Sequence, residues 1–439
     1  MRHTLKGYNM KIIDIKQNIT EGNIDSQLTG LLAVPESRLE TERDRYTCAA
    51  DSFEGYYGDM DNVRLFSVGG RSEISGNHTD HNFGRVIAAS VNLDILAFAA
   101  PTDDGEIRIK SEGFPEDIVP AGKCETPDPE LYFTSASIIA GMQKAFLNAG
   151  YNIGGFRAYT TSNVLKGSGI SSSAAFEVMV GNILNHLYND GKVSNVEIAK
   201  MAQFAENEYF GKPCGLMDQT ACAVGGFITI DFENPADLKI ESIGFDLTEA
   251  GYSLCIVNTG GNHADLNEDY ASVPAEMKSV AKLLGRNVLR GATIEDIIAN
   301  VAEIREKCGD RALLRALHFI NENERVGEQV DALRAGDIDA FFRGVTGSGN
   351  SSFKYLQNVY TTKNVAEQGL SLALCVTENF LKGKRAVCRV HGGGFAGTIQ
   401  AFIPVSDTEE YRALMNSVFG EGSCHVLSVR RAGALELTF

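Results

Sequence analysis

Gly167-Ser168-Gly169-Ile170-Ser171-Ser172-Ser173-Ala174-Ala175 is the stretch on which the reading of this chain turns. Two glycines and three consecutive hydroxyls run straight into an apolar segment with helical spacing: Phe176, Val178, Met179, Ile183, Leu184 and Leu187. Glycine lets the backbone turn tightly and approach a ligand closely. The start of the helix that comes next has unpaired N–H groups and partial positive charge, so it suits phosphate. Serine hydroxyls can cap that helix, bond phosphate oxygens or ligate Mg²⁺, a hard cation that takes oxygen donors. A lone cluster of this kind is better read as a linker capped by Ser173. Two further glycine-rich stretches, 69–84 and 392–397, tip the balance toward a site.

With 439 residues the chain has room for two or three domains and an ample core. A hydrophobic share of 44% and a charged share of 22% are those of a soluble globular protein. The net charge of −17 argues against nucleic acid and anionic membrane as partners, since both demand clustered Lys and Arg. A phosphate site is still compatible with it, because local dipoles and a bound metal set the field there. The nine cysteines are scattered with no C-x-x-C pair, as expected of buried thiols in a reducing cytosol. Residues 1–19 have no apolar core of signal-peptide length, and 86–101 is too short to span a bilayer and is broken by Asn92 and Asp94. A cytoplasmic location is the expectation, with nothing in the patterning to choose between monomer and dimer.

Residues 1–45 are polar and charge-mixed and read as an appended arm with a helical segment. Tyr46, Phe53, Tyr56 and Tyr57 then pack a helix onto the domain C-terminal to it. Strand-like text covers 63–68, 86–97 and 106–110, with a helix over 131–147 and a strand over 156–161 entering the serine loop. Ser194-Asn195-Val196-Glu197 is a capping box that opens a helix. Beyond a strand near 224–232 the text shifts to charged helices over 273–284, 294–307, 312–323 and 329–333. This places a first domain at 46–240 and a second at 241–439, each α+β.

Arg71, His78 and Asp80 share a polar loop bracketed by Gly70, Gly76 and Gly84, a set suited to hydrogen-bonding a polyhydroxylated small molecule. A metal site at His78, Asp80 and His81 ranks below it for want of a second ligand cluster. Asp218, in the apolar, small-residue surroundings of Cys214 to Met217, is either a cap or a positioned base. Gly392 to Gly397 spells G-x-G-x-x-G, but strand-like 398–403 follows, so this is a turn between strands near a ligand and not a dinucleotide fingerprint. There is no G-x-x-x-x-G-K-[ST] and no H-R-D or D-F-G set.

In this order the three glycine-rich sites resemble the motifs of the GHMP small-molecule kinases, and more narrowly of galactokinases. The first, P-G-R-x-N-L-I-G-E-H-T-D-Y-x-x-G, appears as Gly69-Gly70-Arg71-Ser72-Glu73-Ile74-Ser75-Gly76-Asn77-His78-Thr79-Asp80-His81-Asn82-Phe83-Gly84. The second, G-x-G-L-S-S-S-A, runs from Gly167 to Ala174, and the third, G-x-G-F-x-G, is Gly392 to Gly397. An E-H-x-F-x-G-x-x-C-G-x-M-D-Q segment matches Glu206 to Gln219. The likeness covers Tyr46 to the C-terminus.

The resemblance implies a two-domain α+β GHMP kinase fold: a ribosomal protein S5 domain 2-like N-terminal domain, a ferredoxin-like C-terminal domain, and the active site in the cleft between them. It implies ATP and Mg²⁺ as cofactors and phosphorylation of a sugar's anomeric hydroxyl. Asp218 matches the base and Arg71 the arginine beside it. Asn77, His78, Asp80, Gly215 and Tyr270 match sugar-contacting positions. Gly167, Ser168, Gly169, Ile170, Ser171, Ser172 and Ser173 match the phosphate loop, and Ser173 and Glu206 the Mg²⁺ ligands. The departures are Glu73 for Asn, Asn77 for the Glu that contacts the sugar at its C6 end, His81 for Tyr, and altered text at 348–355. An amide at 77 would admit a C6 carboxylate, as in galacturonate, and the change keeps a related sugar such as N-acetylgalactosamine or arabinose open as a rival substrate to galactose. A sensor that binds sugar and ATP without turnover is the rival class, and it would have no need of Asp218.

Overall fold

The computed structural model describes residues 10–164, 170–212, 214–235, 237–261 and 266–439. Twelve strands are present among them: β1 (Arg64–Ser75), β2 (Arg85–Thr102), β3 (Glu106–Ser111), β4 (Glu116–Pro120), β5 (Gly155–Ser162), β6 (Phe227–Asp231), β7 (Lys239–Ile243), β8 (Tyr252–Asn258), β9 (Val387–His391), β10 (Thr398–Pro404), β11 (Cys424–Leu427) and β12 (Leu435–Leu437). Eight make one sheet in the order β12-β1-β2-β5-β3-β4, with β6 pairing both β2 and β7. The other four are antiparallel in the order β11-β8-β10-β9. In chain order that is 4-1-3-2 with helices after the first and third strands, the ferredoxin-like arrangement.

The long β2 explains the mixed text at 86–97. Its burial is almost unbroken, as expected of a central strand covered on both faces. Its first half pairs with β6 and its second with β5. The bend falls where the β1 register slips between Gly69 and Arg71. Here glycine is required, because a Cβ on Gly70 would lie 2.6 Å from Ile170 Cγ2, where the chain enters the serine-rich helix. β1 therefore carries that helix start directly on its surface.

Several helices differ from the expected spans. The segment 294–307 breaks at Asn300 into Ile294–Ala299 and Val301–Lys307, whereas 312–323 and 329–333 merge into one helix, Asp310–Arg334. The capping box at Ser194 is formed, with Glu197 N–H donating to its hydroxyl. Helices Ile12–Thr20, Asp25–Gly30 and Leu39–Tyr57 lie against the outer face of the first sheet. Ile12, Ile15, Tyr46 and Phe53 pack there with Leu65, Leu96 and Phe98. The main core runs without interruption from Phe66 and Ile87 to Phe341 and Phe402, so residues of both sheets share it. β12 also returns to the edge of β1, so text after 241 is part of the first sheet. No helix among the described residues is long and apolar enough to cross a membrane.

Candidate active site

Asp218 sits in the first turn of helix Met217–Val224, and Arg71 lies on β1. They form a two-pronged ion pair, Nε to Oδ1 at 2.7 Å and Nη2 to Oδ2 at 2.8 Å. The Ser171 hydroxyl donates to Asp218 Oδ2 at 2.7 Å, and the Arg71 N–H donates to the Ile170 carbonyl at 3.0 Å. The serine-rich bend and the acidic residue are thus in direct contact. Burial alone would raise the Asp218 carboxyl. The Arg71 charge and hydrogen bonds, then Ser171 and Lys212, outweigh it and hold the group below its ordinary value. At neutral pH it is a carboxylate.

Ser171 adopts the left-handed backbone region (φ 60°) just before helix Ser172–Tyr188. Non-glycine residues pay for that conformation and hold it only where their surroundings fix it. Its hydroxyl reaches Asp218 and does not cap the helix. Ser173 lies inside the first turn, not at the cap that a plain linker would have given it, and is exposed. Ile170, Ser171, Ser172 and Ser173 are therefore placed at a helix start. Gly167, Ser168 and Gly169 lie outside the described residues.

Residues next to Asp218 and its partner Ser171 line two cavities: Ser172 lines the larger and Met217 the smaller. One, of about 790 Å³, is lined by Ser172, Ser173, Phe176 and Glu177 from the helix start and by Phe114 and Ile138 opposite. Its size and its mix of apolar walls with hydroxyls suit a nucleotide. The other, of about 220 Å³, is lined by Glu73, His78, Asp80, His81, Met217 and Gly393. It is a small polar chamber of sugar size, next to Asp218 through Met217.

The third glycine-rich stretch is a turn between β9 and β10, as the strand-like flanks required. Gly394 has φ 80°, and a Cβ there would collide with the Asn358 carbonyl. Side chains of the first loop clamp it: Asn77 Nδ2 donates to the Gly392 carbonyl at 2.7 Å, and His78 Nε2 lies 2.9 Å from that of Gly393. The Tyr270 hydroxyl donates to the Gly394 carbonyl at 2.8 Å, which puts Tyr270 behind this turn and not among the residues lining the small chamber. A Cβ on Gly215 would lie 3.2 Å from Asp80 Oδ2, so the backbone there passes close to the chamber wall.

Asn77 differs from expectation. It is fully buried. Its amide donates to Glu73 Oε1 at 3.0 Å, and its Oδ1 accepts from Asn358 at 2.7 Å and Ser352 at 3.2 Å. With both ends engaged, the side chain cannot receive a C6 carboxylate, and Glu73 presents its own carboxyl to the chamber instead.

Glu206 is buried beside the larger cavity, accepting from Lys212 at 2.9 Å and Gln219 at 2.7 Å. The same Gln219 amide donates to Glu177 at 3.0 Å. Burial, then the nearby Glu206 charge, pushes Glu177 up to about 8. Three groups that the motifs do not single out therefore face the cavities: Glu73, His81 and Glu177. Glu177 was detectable as a carboxylate inside an apolar helical run, and the other two as departures from the motif.

Residues 137–226 match the GHMP kinases N terminal domain, and residues 51–101 match the galactokinase galactose-binding signature. A galactokinase of Thermotoga neapolitana is 30% identical over 332 residues, which is 75% of this chain and 86% of the relative. The chain belongs to the galactokinase family. A galactokinase of Streptomyces coelicolor is 29% identical over 361 residues, covering 81% of this chain and 88% of that one. Among solved structures, the Lactococcus lactis galactokinase complexed with galactose superposes with TM-score 0.74 at 24% identity, covering 89% of this chain and 99% of its own. The Methanococcus jannaschii mevalonate kinase gives TM-score 0.58 at 15% identity, over 84% and 98% of the two chains. These likenesses fix the fold of this galactokinase-family chain as the GHMP kinase fold.

Proposed function

We infer that the chain transfers the γ-phosphoryl group of ATP to the anomeric hydroxyl of galactose, giving galactose 1-phosphate. The observation that carries this reading is the Asp218 carboxylate, held by Arg71 and Ser171, with Met217 beside it lining the smaller cavity and Ser172 beside its partner lining the larger. The sugar occupies the chamber lined by His78 and Asp80, and the nucleotide lies along the start of helix Ser172–Tyr188. Asp218 takes the proton of the attacking hydroxyl, and Arg71 stabilises the charge that develops on that oxygen. Phosphoryl transfer depends on positioning and charge neutralisation more than on covalent help, which suits this arrangement.

The oxygen-rich set beside the nucleotide cavity fits Mg²⁺: the Ser173 hydroxyl, Glu206 and the neighbouring Glu177. Two neighbouring buried carboxylates, one of them pushed up to about 8 by burial and then by the other's charge, are chemistry a hard dication would relieve. Bound there, Mg²⁺ would neutralise the phosphate oxygens, and Lys212 would release Glu206 to reach it.

The test is ADP release with and without galactose, with the product identified by phosphorus NMR. Galactose-dependent release with phosphate at C1, abolished in Asp218→Ala, is expected. Sugar and nucleotide binding without ADP release would instead identify a sensor.

A further inference from the structure

We infer that Glu73 and His81 are specificity-determining residues, recognising hydroxyls of the sugar away from its reacting carbon, Glu73 as acceptor and His81 as donor. The inference rests on the reading of the chain as a galactokinase and extends it to a named pair.

Position comes first. Arg71, Ser72 and Glu73 pair in regular register with Ser90, Ala89 and Ala88, so residues 71 and 73 project from the same face of β1. They are one pleat repeat apart, roughly 6.6 Å along the strand. Arg71 marks the reacting end of the site, because it holds Asp218. Glu73 therefore addresses the far side of a pyranose ring whose anomeric oxygen lies at Asp218.

The carboxylate is held so that one oxygen is left to spare. Glu73 Oε1 accepts from Asn77 Nδ2 at 3.0 Å and from Arg389 Nη2 at 3.2 Å. Arg389 is itself fully buried and is anchored to the Ile74 and Val390 carbonyls. Among the described residues nothing donates to Oε2, while Glu73 lines the chamber. Burial raises this carboxyl above its ordinary value, against the pull of Arg389 and His78, and a hydroxyl donating to Oε2 would bring it down again.

The imidazole is held in the complementary state. Leu289 N–H donates to Asn82 Oδ1 at 3.0 Å, which turns the Asn82 amide nitrogen toward His81 Nδ1, also at 3.0 Å. Nδ1 is then the acceptor, and in the neutral ring the proton resides on Nε2. That nitrogen is buried, lines the same chamber and has no partner among the described residues. Burial, together with the neighbouring His78, lowers the ring's pKa to about 4, against the opposing pull of Asp80.

An unmet acceptor and an unmet donor in one sugar-sized chamber call for groups that both give and receive hydrogen bonds, as hydroxyls do. Both residues stand where the chain departs from the motif it resembles. On this account the departures exchange the recognising groups and do not remove them.

The experiment measures Kd by titration calorimetry and kcat/KM for galactose, 4-deoxygalactose and 6-deoxygalactose on the full chain and on Glu73→Gln and His81→Phe. For the unsubstituted protein, at least one deoxy sugar is expected to bind about 10- to 100-fold more weakly than galactose. In the two variants that gap should shrink to about threefold or less. The inference is overturned if the unsubstituted protein binds both deoxy sugars within about threefold of galactose. It is also overturned if both variants, folded by circular dichroism, keep the full gap. Should Glu73→Gln unfold because Arg389 loses its partner, His81→Phe and the unsubstituted series still decide. Failure of galactose itself to be phosphorylated would count against the parent reading and would remove this inference with it.

Discussion

Asp218 is ionised because of its partners, and each partner can be removed singly. Asp218→Asn keeps the shape and loses the proton acceptor. We expect kcat to fall by about 10²- to 10⁴-fold with sugar Kd little changed, read as ADP release and calorimetry. Glu177 titrates in the opposite sense. Its folded value of about 8 exceeds the ordinary 4.5, so between those pH values the folded protein holds a proton that the unfolded chain has lost. Stability contributed by this group is complete below pH 4.5 and declines as pH rises toward 8. Glu177→Gln should therefore raise Tm more at pH 8 than at pH 5, and an equal shift at both would refute the assignment. The pairing of Arg71 with Asp218 was legible in the sequence because motif spacing names both residues. The state of Glu177 was not, because it arises from burial and then from Glu206, 29 positions along the chain, both of which exist only once the chain has folded.

At the scale of elements, two contacts carry consequences. Gly70 lets Ile170 rest on β1, and a methyl at that position would lie 2.9 Å from the Ile170 carbonyl as well as against its side chain. Gly70→Ala should lift the serine-rich bend, breaking the Ser171 contact to Asp218, and lower kcat/KM for ATP at least tenfold while galactose Kd holds. The second contact is helix Leu39–Tyr57 on the outer sheet face. Phe53 is fully buried there, its ring 6.4 Å from that of Phe98, and Arg45 bonds Asp94 at 2.5 Å. Phe53→Ala should cost about 3–5 kcal/mol in urea unfolding without altering the active site. The aromatic cluster signalled this packing in advance. The polar character of 1–45 concealed how firmly Ile12 and Ile15 dock, since sparse apolar residues on a short helix give a weak period. The merged helix Asp310–Arg334 was missed for a related reason. Asn323, Glu324 and Arg325 look like an interruption, yet their neighbour Glu322 is buried against Arg325 and Ser348.

For the molecule as a whole, the two sheets share one core. Phe341 from the second half packs its ring 5.5 Å from Phe402, within the cluster that also holds Phe66 and Ile87. We propose that the divisions 46–240 and 241–439 describe the order of the chain and not independent folding units. Scanning calorimetry should give one cooperative transition, and two resolved peaks would contradict the shared core. Galactose at 100 times its Kd should move that single transition upward by about 2.7 kcal/mol of added stability.

The return of β12 to β1 joins partners far apart in time as well as in sequence. Arg64 and Glu436 are bonded across 372 positions. At about 5–20 residues per second of synthesis, the rim of the first sheet waits on the order of twenty to seventy seconds for its last neighbour. Throughout that interval the open backbone of residues 64–67 is a docking edge for any extended nascent segment. A holdase chaperone, or slow codons placed between residues 67 and 435, would change the yield of active enzyme without changing a single native contact.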